Sequence, residues 1–140
     1  MSSVTSSGMI AVDPATVWKI VSAFSGLENY LPPIAKSTTS GQGVGATRVL
    51  TTQDGGSFTE RLESLDNDSR TLRYSIISDH PFPFTDYVST IKVKGDGNNG
   101  CQVEWSAEFN PQGASEEEVQ ALLSGLLSAG ISGLKEVAMH

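Results

Sequence analysis

Cysteine, histidine and clustered positive charge are all scarce in this chain, and each scarcity removes a class of function. One cysteine, Cys101, among 140 residues allows no internal disulfide, which fits a reducing, cytoplasmic setting. His80 and His140 are the only histidines. A Ser-His-Asp or Cys-His pair would have to use His80, since His140 is terminal, and no supporting motif surrounds it. No His/Cys/Asp group has zinc spacing, so neither a metal nor another cofactor is expected. Nine Lys and Arg stand against sixteen Asp and Glu, a net charge of −7. The scattered cations argue against nucleic acid or an anionic membrane surface as partner. The opening residues lack the basic and apolar regions of a secretory signal. Gly41-Gln42-Gly43-Val44-Gly45 lies between strand-like segments rather than before a helix, so it is not a phosphate-binding loop.

Charge is missing altogether from the sixteen residues Val119–Leu134, yet their periodicity is helical. Val119, Leu122, Leu123, Leu126, Leu127, Ile131, Leu134 and Val137 fall on one broad arc. The opposite arc carries Ala121, Gly125, Ser128, Ala129, Ser132 and Gly133, where a solvated helix normally carries Lys and Glu. Small residues let another backbone or a ligand come close, and one reading of Gly125, Ala129, Ser132 and Gly133 is a homodimer contact. The stretch falls short of the roughly 20 apolar residues that cross a bilayer and is rich in Gly and Ser, so no membrane span is expected. Ser115 followed by Glu118 has capping-box spacing, and Glu116, Glu117 and Glu118 suit the helix dipole.

Before this helix the chain reads as a strand ending near Val12, two short helices, and a series of strands. Asp13-Pro14 is an N-cap followed by proline at the first helical position. From Ile34 onward, six strand-like segments are separated by turn signals such as Asp54-Gly55-Gly56 and Asp66-Asn67-Asp68, which makes an antiparallel meander. Residues 1–140 are expected to form one domain of the α+β class, a curved antiparallel sheet around a long C-terminal helix with room for a cavity.

Strand alternation marks polar groups on apolar faces. Phe58, Glu60 and Leu62 share an inward face. A buried carboxylate is costly unless paired or protonated, so Glu60 is either a cavity group or the partner of a buried cation. Tyr87 and Ser89 add hydroxyls to the face of Ile91 and Val93. Lys36 follows Ile34 by two and either shares its inward face or turns to water. Alternation about Trp105 leaves Glu104 in solvent unless a bulge reverses it. The segment Asp79-His80-Pro81-Phe82-Pro83-Phe84 is a lid over a pocket mouth or a rigid loop tucked against the core.

Asp13-Pro14-Ala15-Thr16-Val17-Trp18, Gly43-Val44-Gly45-Ala46-Thr47-Arg48 and Glu60-Arg61-Leu62-Glu63-Ser64-Leu65-Asp66 appear in that order. With Val103-Glu104-Trp105 and Gly133-Leu134-Lys135, this set resembles the polyketide cyclase/dehydrase family of the START-like (SRPBCC) superfamily. The resemblance spans nearly the whole chain. It implies the helix-grip fold, a seven-stranded antiparallel sheet wrapped around the C-terminal helix, with a cavity for a hydrophobic ligand. It does not imply one reaction. The plant abscisic-acid receptors are a similar branch. Their cavity lysine falls on Lys36 and their polar cavity residues on Glu60, Tyr87, Ser89 and Glu104. Their gate is replaced here by Gln53-Asp54-Gly55-Gly56, their latch keeps only His80, and their helix asparagine falls on Gly133. These departures weigh against hormone-gated signalling.

The expected function is binding of a small hydrophobic or aromatic molecule with an acidic or carbonyl group met by Lys36. Phe58, Leu62, Phe82, Leu126 and Gly130 are further candidate ligand contacts. The alternative is a cyclase or dehydratase acting on a poly-carbonyl or aromatic substrate, with Lys36 or Tyr87 polarising a carbonyl and Glu60 moving a proton.

Overall fold

Strand β1 (Ser2–Ile10) leads to Asp13, whose carboxylate accepts the Thr16 backbone N–H at 3.0 Å and starts helix α1 (Pro14–Ser22) with proline in its first turn. Gly26, at φ 69°, occupies the left-handed region that glycine enters without strain. It leads into a single 3₁₀ turn, Leu27–Asn29. Strands β2 (Ile34–Ser40), β3 (Thr47–Thr52), β4 (Ser57–Asp66), β5 (Thr71–Ile76), β6 (Phe84–Gly95) and β7 (Cys101–Pro111) follow, and helix α2 runs Glu116–Ala138. The computed structural model describes all residues, Met1–His140.

The seven strands form one antiparallel sheet in the order β1-β7-β6-β5-β4-β3-β2. Short turns join β2 through β7, and the α1 segment carries the chain from β1 at one edge to β2 at the other. This is the helix-grip arrangement, with α2 laid across the concave face against β1 and β7. The capping box at Ser115 and Glu118 is formed from both sides. The helix is long and apolar enough by composition to cross a membrane. Here it places Val119, Leu123, Leu127, Ile131 and Leu134 in the hydrophobic core shared with the sheet.

Glycine sets how closely α2 docks. A Cβ on Gly133 would overlap the backbone carbonyl of Tyr30, and one on Gly130 would lie 2.6 Å from the Trp105 ring. On the facing strand, a Cβ on Gly8 would lie 2.8 Å from Ile131. Part of the small-residue arc is thus filled within the chain, while Gly125, Ser128 and Ser132 stay exposed. Gly125 has no neighbour within 4 Å of where a Cβ would stand. Gly125→Ala should therefore stabilise by about 0.5–1 kcal/mol through helix propensity alone. Gly133→Ala should destabilise by about 1–3 kcal/mol, because a backbone carbonyl must move to admit it. Parallel urea melts of the two variants check the opposite signs.

Three register irregularities re-aim side chains. They fall between Ile34 and Lys36, between Leu62 and Ser64, and between Thr85 and Val88. The first bears directly on the site.

Candidate functional site

A cavity of about 160 Å³ lies between α2 and the sheet. Leu123, Leu126 and Leu127 of α2 form its roof, Leu50, Phe58 and Tyr74 of the sheet its floor, and Leu27 and Leu31 one end. An apolar cavity of similar volume holds one benzene-sized ring. Among its lining residues Pro33 and Leu122 are exposed, and Thr52, Ile76, Phe82 and Leu126 half-buried. The mouth therefore opens between the start of β2, the first half of α2 and the β5–β6 loop.

That loop is a stack of rings. Phe82 and Phe84 lie parallel at 5.5 Å, Phe82 meets Phe58 edge-on at 5.1 Å, and Phe84 stacks on Tyr87 at 5.1 Å. His80 packs against both phenylalanines, and its Nδ1 accepts the Phe82 backbone N–H at 3.2 Å. Partial burial lowers the His80 pKa, so neutral imidazole keeps this acceptor available. Beyond the stack lies a wider polar groove that shares Ile76, Phe82, Phe84 and Tyr87 with the cavity. The two alternatives for this segment merge: Phe84 is buried in the core, and Phe82 stands at the mouth. A Cβ on Gly56 would lie 3.7 Å from Pro81, which puts the Asp54-Gly55-Gly56 turn beside the same opening.

The polar end of the cavity centres on Glu60, which is 5% exposed. Its Oε1 accepts a hydrogen bond from Arg48 Nε at 2.8 Å and lies 2.7 Å from Arg48 Nη2 in an ion pair. The Arg48 guanidinium is itself buried, 3.9 Å above the Phe24 ring and 4.8 Å from that of Tyr74, a cation–π arrangement. Burial raises the Glu60 carboxyl above its ordinary value, against the pull of Arg48. Arg48 stays charged: desolvation is the largest single influence and opposes the charge, but Glu60, Tyr74 and Tyr30 together outweigh it. Tyr74 and Tyr87 complete the polar end, their phenols raised by burial first and by neighbouring negative charge second. Trp105 Nε1 donates to Tyr74 OH at 3.1 Å and to Ser89 Oγ at 3.0 Å, and Ser89 Oγ donates to the Ser106 carbonyl at 2.7 Å.

Among the candidate residues, Glu60, Tyr87, Phe58, Phe82 and Leu126 line this one cavity. The others do not. The inward placement of Lys36 is corrected: the register shift after Ile34 turns it outward, and it is exposed. The receptor-like placement of Glu104 is corrected as well, since unbroken alternation in β7 puts it on the outer face, 3.3 Å from Lys94. Ser89 is fully buried and engaged within the sheet. Leu62 belongs to the core, and Gly130 to the contact with Trp105 rather than to the cavity wall. Sequence reasoning missed Arg48 and Tyr74. Their period was legible, Ala46, Arg48 and Leu50 alternating inward as Leu72, Tyr74 and Ile76 do, but the pairing that places a charge there, Arg48 directly across from Glu60 in the β3–β4 ladder, shows only in the structure.

An antiparallel sheet gripping a terminal helix over an apolar cavity defines a helix-grip domain. The chain belongs to the family described as polyketide cyclase/dehydrase and lipid transport, whose model matches residues 1–139. It is similar to an uncharacterized protein from Bacillus thuringiensis at 36% identity and TM-score 0.89, over 99% of this chain and 100% of that one. It is also similar to the protein XoxI from Bacillus cereus at 37% identity and TM-score 0.89, over 99% and 96%. The Zhui aromatase/cyclase from a Streptomyces species shares the fold at 16% identity and TM-score 0.81, over 99% and 93%. No curated protein matches the chain.

Proposed function

We propose that this protein binds a small hydrophobic or aromatic molecule inside the domain, in a reducing compartment such as the cytoplasm. The observation that carries the reading is the apolar cavity of about 160 Å³ closed by the ring stack of the β5–β6 loop. Family membership supports it, since lipid transport and cyclisation both need an enclosed apolar guest. The family description names cyclase and dehydrase beside lipid transport, so the enzymatic alternative shares that support and is weighed on its residues. Of its carbonyl-polarising candidates Lys36 is outside while Tyr87 lines the cavity, and Oε1 of its proton carrier Glu60 is held by Arg48.

The volume sets the scale of affinity. At about 0.7 kcal/mol per non-hydrogen atom, between the roughly 0.3 of drug-sized ligands and the roughly 1.5 of the best tiny ones, a guest of about eight atoms binds with a Kd on the order of 0.1 mM. One-ring compounds should raise the melting temperature of the wild-type protein in proportion to occupancy. Leu126→Trp, which fills the roof, should melt as a folded protein with no such response. Equal shifts in both proteins would show that the compounds bind elsewhere, and no shift in either would remove the binding reading.

A further inference from the structure

The chemistry of the guest can be narrowed, given the binding function proposed above. Both Arg48 contacts, the Nε hydrogen bond and the Nη2 ion-pair approach, end on the same oxygen, Glu60 Oε1. Glu60 Oε2 has no hydrogen-bond partner, although the side chain is 6% exposed and belongs to the cavity wall. No fully enclosed side-chain nitrogen or oxygen in the protein is left unpaired, so Oε2 keeps some accessible surface, and the cavity is the opening that Glu60 lines. Arg48 lies behind the carboxylate, sandwiched by Phe24 and Tyr74, and does not line the cavity.

A guest therefore meets an acceptor oxygen at the end of an oily chamber. Carboxylate oxygens in the ionised state only accept. An anionic guest would bring like charge against Glu60 with the balancing guanidinium on the far side. A cationic guest would lose its hydration to a site whose net charge Arg48 already cancels. We propose that the cavity selects neutral single-ring molecules that donate an O–H or N–H to Glu60 Oε2, and discriminates against carboxylates. This reverses the preference that an inward Lys36 would have produced.

Phenol, toluene and benzoate are nearly matched in shape and differ in donor capacity and charge. Their binding is measured by calorimetric competition or ligand-observed NMR. Wild-type protein should bind phenol at least tenfold more tightly than toluene, the size of effect a hydrogen bond to a charged acceptor gives, and benzoate most weakly. In the double variant Arg48→Met/Glu60→Leu, whose polar pair is replaced by apolar side chains, the order of phenol and toluene should invert. Toluene binding as tightly as phenol to the wild type, or benzoate binding best, overturns the donor preference while leaving the cavity a binding site. Failure of both phenol and toluene to bind overturns the binding function itself. Should the double variant not fold, the wild-type comparison decides alone.

Discussion

Arg48→Met is expected to lower the unfolding free energy by about 3–5 kcal/mol, the usual cost of stranding a buried charge. The substitution preserves length and apolar volume between Phe24 and Tyr74 and leaves Glu60 without its only hydrogen-bond donor. Adding Glu60→Leu should return most or all of the loss, because a buried ion pair replaced by packed apolar groups is often neutral or stabilising by 1–4 kcal/mol. The coupling between the two positions is read from a double-mutant cycle by urea unfolding. A cost below about 1 kcal/mol for the single variant would mean that Glu60 finds water or another donor when Arg48 is gone.

Above pH 10 the protein is expected to lose stability at about 4 kcal/mol per pH unit. Tyr30, Tyr74 and Tyr87 are all buried, and burial raises each phenol pKa above the ordinary 10.0. The sign follows from linkage: a raised folded pKa means that the unfolded chain releases protons first. The contribution is complete below pH 10 and is lost as pH rises from there toward the folded values. Each phenol adds up to about 1.4 kcal/mol per unit between pH 10 and its own folded value, so the combined slope is steepest just above pH 10 and bears on a typical stability of about 5–15 kcal/mol. Far-UV circular dichroism and tyrosinate absorbance should change together in one transition. Three phenols titrating near pH 10 in a folded protein would contradict the enclosure of the polar end.

Much of this fold is written locally. Asp13-Pro14, the Ser115 capping box and the uncharged helix each determine their own element from a few neighbours. The alternation of Tyr87, Ser89, Ile91 and Val93 is read correctly because β6 is regular over that span. Lys36 is the instructive failure. One extra residue between Ile34 and Lys36 reverses every side chain that follows in β2, and nothing in the composition of that segment announces it. Arg48 fails differently: its periodicity places it inward, but a charge at an apolar position reads as solvent-facing until its cross-strand partner is known. The distinction between residues lining the cavity and those filling the core, such as Leu62 and Ser89, depends on packing against α2. No strand pattern encodes that.

The glycine contacts of α2 divide that helix into two mechanical regimes. Around Gly130 and Gly133 it is clamped, with the Trp105 ring and the Tyr30 backbone in close contact. Between Leu122 and Leu127 it bridges open space. Chamber size can therefore diverge among relatives through substitutions along the bridging half and at Phe82, leaving the clamp untouched. The same scaffold can be retuned for guests of different bulk without renegotiating how its halves hold together.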